Sequence, residues 1–219
     1  KGRWWFAECF HQPMAHAIDE MAGVLELAGI KSCQSVPILR VDRHSAETVS
    51  RVLKKLTNPE RPIALLCPFT RWPTKNWPIS KFSALAEQLA EEFQVVFTGS
   101  PNDRPQIEEA IAETPPVSAV NLAGRLSLPE FFALAARSEV VVTGDSLPMH
   151  VASAFDRPLV SLFGPTNEFL VGPRNDAAKI VRAAVDCQRC YRRLRCPRAC
   201  IRKITVDEVR TAVGSVLEK

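Results

Sequence analysis

Residues 140–150 read VVVTGDSLPMH, and their order decides the reading of the whole chain. A β-branched run ends at Thr143, Gly144 and Asp145 make a turn, and Met149, His150 and Ala154 follow on a short helix. This is a strand that feeds a helix through a tight loop. The unit recurs on both sides. Upstream, the run Ile63–Cys67 precedes a helical stripe of Phe82, Leu85, Ala86, Leu89 and Phe93, with Ser80 placed to cap it. Residues 95–98 are extended; a turn at Gly99, Ser100 and Pro101 leads into a helix from near Asp103, with Ile107 and Ile111 on one face. Residues 120–122 make a short strand, and Ser127 with Glu130 forms a capping box around Pro129 for a helix through Phe131, Leu134 and Ala135. Downstream, residues 159–163 and the pair Ile180 and Val181 are strand-like. Thr205 and Glu208 cap a last helix striped by Val209, Val213, Val216 and Leu217. Strands alternating with helices predict an α/β domain, a Rossmann-like doubly wound parallel sheet, over residues 59–219.

Residues 1–58 read differently, with a helix over 18–28 stopped by Gly29, a short extended segment at 38–41 and a helix over 45–56. A piece below roughly 60 residues is marginal as an independent core, so this segment reads as the end of a preceding domain plus a linker helix. The length agrees: 219 residues amount to one domain and a fraction of another. The 46% apolar and 24% charged composition excludes a disordered or collagen-like chain. With 28 Lys and Arg against 24 Asp and Glu, the net charge is +4, which favours anionic ligands without demanding nucleic acid. No apolar run approaches the ~20 residues of a membrane span, and KGRWWFAECF at residues 1–10 lacks the features of a secretory signal. The expected compartment is the cytoplasm, where Cys9, Cys33 and Cys67 read as reduced thiols.

In an open parallel sheet, ligands bind beyond the carboxyl ends of the strands. The loop after the first strand, residues 68–77, holds Thr70, Arg71, Lys75 and two tryptophans; its alternative role is a proline-stiffened loop packed on the sheet edge. Asp103 after the second strand is either a helix cap or a ligand for ribose hydroxyls. In the loop from Thr143 to His150, Gly144 permits close backbone approach and the helix start offers free N–H groups to a phosphate. Asp145 and Ser146 as caps, and His150 as a core histidine, are the structural alternatives. The chain has no G-x-G-x-x-G, no G-x-x-x-x-G-K-[ST], no G-x-S-x-G and no D-x-D. A nucleoside diphosphate would therefore be neutralised by Lys75 and the helix-end amides of residues 146–149.

CPFTRWPTKNWP at 67–78, FTGSPND at 97–103, the run from NLAGRL at 121 to VASAF at 155, and PLVSLFGPT at 158–166 together resemble the C-terminal half of the ADP-heptose lipopolysaccharide heptosyltransferases, glycosyltransferase family 9. HAIDE at 16–20 and AGI at 28–30 resemble part of that family's N-terminal domain. The resemblance implies the two-domain GT-B fold, with residues 1–58 as the remnant of the acceptor domain and 59–219 as the donor domain. It implies inverting, metal-independent transfer of heptose from ADP-heptose to the lipopolysaccharide inner core. Carried onto this chain, it assigns Lys75 to the donor diphosphate, Thr70 to the same loop, Asp103 to the ribose, Leu126 to the adenine pocket and Asp145 to the surroundings of the donor sugar. Gly144, Ser146, Leu147 and His150 line the diphosphate end. Leu147 stands where glycine is commoner, and Phe69 where a second small hydroxyl residue occurs. The family's acidic general base belongs to the acceptor domain, so no catalytic residue is assigned here and the fragment is expected to be inactive alone.

Cys187, Cys190, Cys196 and Cys200 fall within fourteen positions, a spacing compatible with a structural zinc held by four thiolates or with disulfides. Arg189, Arg192, Arg193, Arg195, Arg198, Arg202 and Lys203 surround them, facing the phosphates of an acceptor lipid, an anionic membrane surface or nucleic acid. Two other readings compete: a zinc-ribbon-bearing nucleic-acid-binding protein, which explains nothing before Cys187, and a GT-B sugar-nucleotide epimerase, which needs catalytic acids that the cleft loops scarcely offer.

Overall fold

Strands made of unbroken Val, Leu and Ala runs are expected where both faces of a sheet are covered. In the computed structural model, which describes residues 15–30, 37–56, 58–113, 119–187, 189–197 and 199–218, they lie at its centre. The strands are β1 (Ile63–Cys67), β2 (Gln94–Phe97), β3 (Val120–Asn121), β4 (Val140–Gly144), β5 (Leu159–Phe163) and β6 (Ala178–Arg182). All pairings are parallel, in the order β3-β2-β1-β4-β5-β6. Leu65 of β1 stands beside Val96 of β2 on one side and Val141 of β4 on the other.

Side chains alternate across this sheet. Ala64, Leu66, Val95, Phe97, Val140, Val142, Val160 and Leu162 face α3 (Ile79–Leu89) and α8 (Val206–Leu217), which contribute Phe82, Leu85, Leu89, Val209 and Val213. Leu65, Val96, Val141 and Leu159 face the other way, against α2 (Arg43–Leu53), α5 (Leu128–Arg137) and α6 (Leu147–Ala154) through Val49, Leu53, Leu134 and Met149. Helix α4 (Arg104–Ala112) adds Ile107 to the first layer, and a single turn, α7 (Glu168–Val171), follows β5. The Ser127/Glu130 and Thr205/Glu208 capping boxes open α5 and α8 as expected.

Three local expectations need correction. Ser80 does not cap α3: Pro78 occupies the cap position with its φ already fixed, so the helix begins at Ile79 and Ser80 lies in its first turn. Residues 38–41 form no strand; Leu39 and Val41 pack on the α2/α5 side of the sheet instead of pairing with it. The second helix starts at Arg43, earlier than expected, since the Asp42 carboxylate accepts from the Ser45 N–H at 2.9 Å and caps it. Helix α1 (Ala17–Leu27) ends on Gly29 at φ 77°, with the Ile30 N–H bonded to the Leu25 carbonyl, a left-handed stop that glycine adopts without strain. Cys9, Cys33 and Arg198 lie outside the described residues.

Candidate functional site

The strand order reverses between β1 and β4, so the loops that leave these two strands open a crevice at the carboxyl end of the sheet. A 3-10 turn at Pro73–Lys75 brings Lys75 across that crevice. Its ammonium donates to the Asp145 carboxylate at 3.0 Å and to the Asp145 carbonyl at 2.8 Å, and the two side chains are only 13% and 7% exposed. An ion pair removed this far from water is held in one geometry. Gly144 makes the approach possible: a Cβ there would stand 3.0 Å from the Lys75 carbonyl oxygen and 3.2 Å from the Thr70 methyl.

The other residues expected in the site take distinct places. Thr70 holds the loop in shape, its hydroxyl donating to the Trp72 carbonyl and accepting from the Trp72 N–H, while its own N–H donates to Asn76 Oδ1. Ser146 sits at the cap position of α6 but its side chain makes no capping bond and turns back to Gly144 and Thr143; Pro148 carries no N–H and the Met149 N–H donates to the Ser146 carbonyl, so the Leu147 N–H is what the helix start can offer an anion. Leu147, half exposed, and His150 lie on the first turns of α6. His150 keeps one side in water, yet the protein behind it desolvates the imidazole enough to lower its pKa, against an opposing pull from the Asp145 carboxylate. Asp103 closes a capping box, accepting from the Ser100 N–H at 2.6 Å and the Ser100 hydroxyl at 2.7 Å. Leu126 packs against the α5 layer. Lys75, Thr70, Gly144, Asp145, Ser146, Leu147 and His150 thus share one mouth, while Asp103 and Leu126 follow β2 and β3 toward the sheet edge.

Sequence reasoning gave His16 no role at this mouth, yet it lies within electrostatic reach of His150. Its Nδ1 accepts from the Ile18 N–H to cap α1, and its Nε2 donates to the Gly172 carbonyl at 3.0 Å. With the Asp19–Arg174 ion pair, it fastens α1 to the segment after α7. A histidine in a cap position before an apolar run was the available signal. A second network holds the Phe-Gly-Pro-Thr turn after β5: Arg182 donates to the Gly164 and Thr166 carbonyls and pairs with Glu168, which Arg189 also grips at 2.7 Å. Desolvation pushes the Glu168 pKa up, but a hydrogen bond to its own backbone and the two arginines outweigh it and hold the carboxyl below its ordinary value.

The four clustered cysteines are all free thiols: Cys190 is exposed, Cys187 and Cys196 are intermediate and Cys200 is buried, where desolvation pushes its pKa up. Among the described residues no group of three or more His, Cys, Asp or Glu side chains stands close enough to hold a metal ion. No disulfide joins the described cysteines of this loop, and a structural zinc on the four thiolates stays a proposal. Cys200 turns into the core beside Ile201 while Cys190 is exposed, and the Cys196 and Cys190 thiols lie within electrostatic reach of Cys200. Cys67 is buried in β1, and desolvation raises its pKa far above the ordinary thiol value. No helix of the described residues is long and apolar enough to cross a membrane.

The sheet order, with the Lys75–Asp145 pair and the start of α6 where it reverses, defines the class as a Rossmann-like α/β domain of the GT-B fold. The chain belongs to glycosyltransferase family 9 (heptosyltransferase), whose family model matches residues 9–199. Lipooligosaccharide heptosyltransferase 2 of Haemophilus influenzae is 39% identical over 153 residues, which cover 67% of this chain and 44% of that protein. The solved structure of the Escherichia coli ADP-heptose lipopolysaccharide heptosyltransferase II is similar with a TM-score of 0.71 and 29% identity, covering 83% of this chain and 54% of that one. A family 9 structure from Veillonella parvula has a TM-score of 0.79 at 21% identity, a likeness of fold, over 96% of this chain and 62% of its own. This chain thus spans less than two thirds of the proteins it matches. The nucleic-acid-binding and epimerase readings find no support, since the family match runs across the whole sheet.

Proposed function

We propose that the whole protein transfers a heptose from ADP-heptose to a sugar of the lipopolysaccharide inner core with inversion, and that this chain supplies its donor-binding half. Residues 59–219 hold the donor, and residues 1–58 are the end of the acceptor domain with its linker helix. The observation that carries this reading is the Lys75–Asp145 pair beside the uncapped start of α6. Lys75 and the Leu147 N–H at the start of α6 meet the diphosphate, and as the bond to the sugar breaks they stabilise the charge that develops on the departing ADP. Asp145 orients Lys75 and stands next to the sugar, with His150 on the following turn. Thr70 and Gly144 shape the mouth, Leu147 and Ser146 line it, and Asp103 and Leu126 flank the ribose and adenine. This neutralisation uses side-chain and backbone charge, which makes the transfer metal-independent; the acidic base that activates the acceptor hydroxyl comes from the acceptor domain. The arginines of residues 189–202 suit a peripheral, cytoplasmic position against anionic headgroups of the inner membrane.

Isothermal titration of this chain with ADP, UDP and GDP tests the reading. Saturable binding that prefers ADP is expected, with about 2.7 kcal/mol of stabilisation at a hundredfold excess over Kd. Equal or absent binding of all three nucleotides sinks it.

A further inference from the structure

The loop after β1 carries two tryptophans that serve different ends. Trp77 is buried, donates its indole N–H to the Ile204 carbonyl at 3.0 Å and meets Phe82 edge-on, so it is a core residue. Trp72 is half-buried and has two cations over its ring: the Lys75 ammonium 4.5 Å from the ring centroid and the Arg193 guanidinium at 4.6 Å. Arg193 comes from the loop between Cys190 and Cys196, far away in sequence. That loop is tied down beside the donor mouth. The Thr74 hydroxyl donates to the Arg192 carbonyl at 2.5 Å and lies 3.1 Å from that of Arg193, and the Tyr191 N–H donates to the Pro165 carbonyl at 2.9 Å. A cavity of about 340 Å³ remains between this loop and Pro73, Thr74 and Asn76.

A lysine is a point charge on a flexible four-carbon stem, so its location is fixed only by what surrounds it. Asp145 holds the ammonium from one direction, and the electron-rich face of Trp72 supplies a second contact. The indole is held in turn by the planar guanidinium of Arg193, whose backbone is anchored through Thr74. We propose that Trp72 and Arg193 are positioning residues for Lys75: the cysteine-flanked loop clamps the indole, and the indole presets the ammonium for the diphosphate of the donor. The inference rests on the assignment of Lys75 to that diphosphate.

The test is ADP titration of the 219-residue chain and its variants, with circular dichroism as the check on folding. Trp72→Ala is expected to weaken ADP binding ~10-fold, the scale of a partly desolvated cation–π contact, and Trp72→Phe, which keeps an aromatic face, to restore it to within ~3-fold. Arg193→Ala, at an exposed position, should weaken binding ~3-fold, and the double variant should bind no more weakly than Trp72→Ala alone, because Arg193 acts through the indole. The salt dependence of binding should survive in Trp72→Ala, where Lys75 keeps its charge, and shrink in Lys75→Ala. Wild-type affinity in Trp72→Ala, or losses that add in the double variant, overturns the proposal while leaving the donor site standing if Lys75→Ala still loses ADP. If Lys75→Ala binds as the wild type does, the donor assignment falls and the proposal falls with it.

Discussion

The mouth between β1 and β4 and the cysteine loop after β6 are both dense in reactive side chains, yet the charged pair of the first is in direct contact while the thiols of the second stay unbonded. Lys75 and Asp145, seventy positions apart, meet at 3.0 Å because two adjacent parallel strands end side by side and deliver their loops to the same place. Four cysteines within fourteen positions stay free thiols: Cys190 and Cys196 come within electrostatic reach of Cys200, yet among the described residues no group of three is close enough to hold a metal ion, and one thiol joins the core while another faces water. Separation along the chain is thus a poor guide to proximity, and the framework that launches a side chain is a good one.

Four measurements break or sharpen this contrast. Lys75→Ala should have the largest effect. It leaves the Asp145 carboxylate buried without its partner, lowering stability by about 3 kcal/mol in urea unfolding and cutting turnover of the whole enzyme at least ~10-fold. Gly144→Ala comes next: its Cβ would press on the Lys75 carbonyl and the Thr70 methyl, so about 1–3 kcal/mol of stability and part of the ADP affinity should be lost without any change of charge.

A smaller effect is expected from His150. Its native pKa lies below the ordinary 6.5, so the unfolded chain binds the proton more readily, and this residue costs stability as pH falls from 6.5 through the native value. ADP reverses the sign: a diphosphate beside the imidazole favours the protonated form, and affinity should rise about threefold from pH 7.5 to 5.5. Imidazole resonances followed by NMR with and without ADP check this; a titration that ADP leaves unmoved separates His150 from the diphosphate. The smallest effect belongs to the other region. Cys190→Ser and Cys196→Ser should leave ADP affinity within about twofold and stability within about 0.5 kcal/mol, and elemental analysis should find far less than one metal ion per chain. An equimolar metal ion would show the loop gathering its thiols and would erase the contrast.

Much of this was legible beforehand because period and punctuation are local. The apolar runs located all six strands, the Ser127/Glu130 and Thr205/Glu208 boxes located two helix starts, and Gly29 located a helix end. The errors arose where a local signal had a competitor. Ser80 lost its capping role to Pro78, and residues 38–41, strand-like in composition, spend Leu39 and Val41 on packing against the α2/α5 layer. The contacts of His16 and Arg193 were not legible because their partners, Gly172 and Trp72, are remote in the chain.

The sequence by itself determined the alternation of strands and helices, hence a parallel sheet and the end of it where a ligand can bind, because hydrophobic period and turn chemistry act over a few residues. Only the tertiary structure decided which charged groups pair, which tryptophan is core and which is a platform, and whether four thiols converge, because each depends on distances between segments that no local interaction fixes.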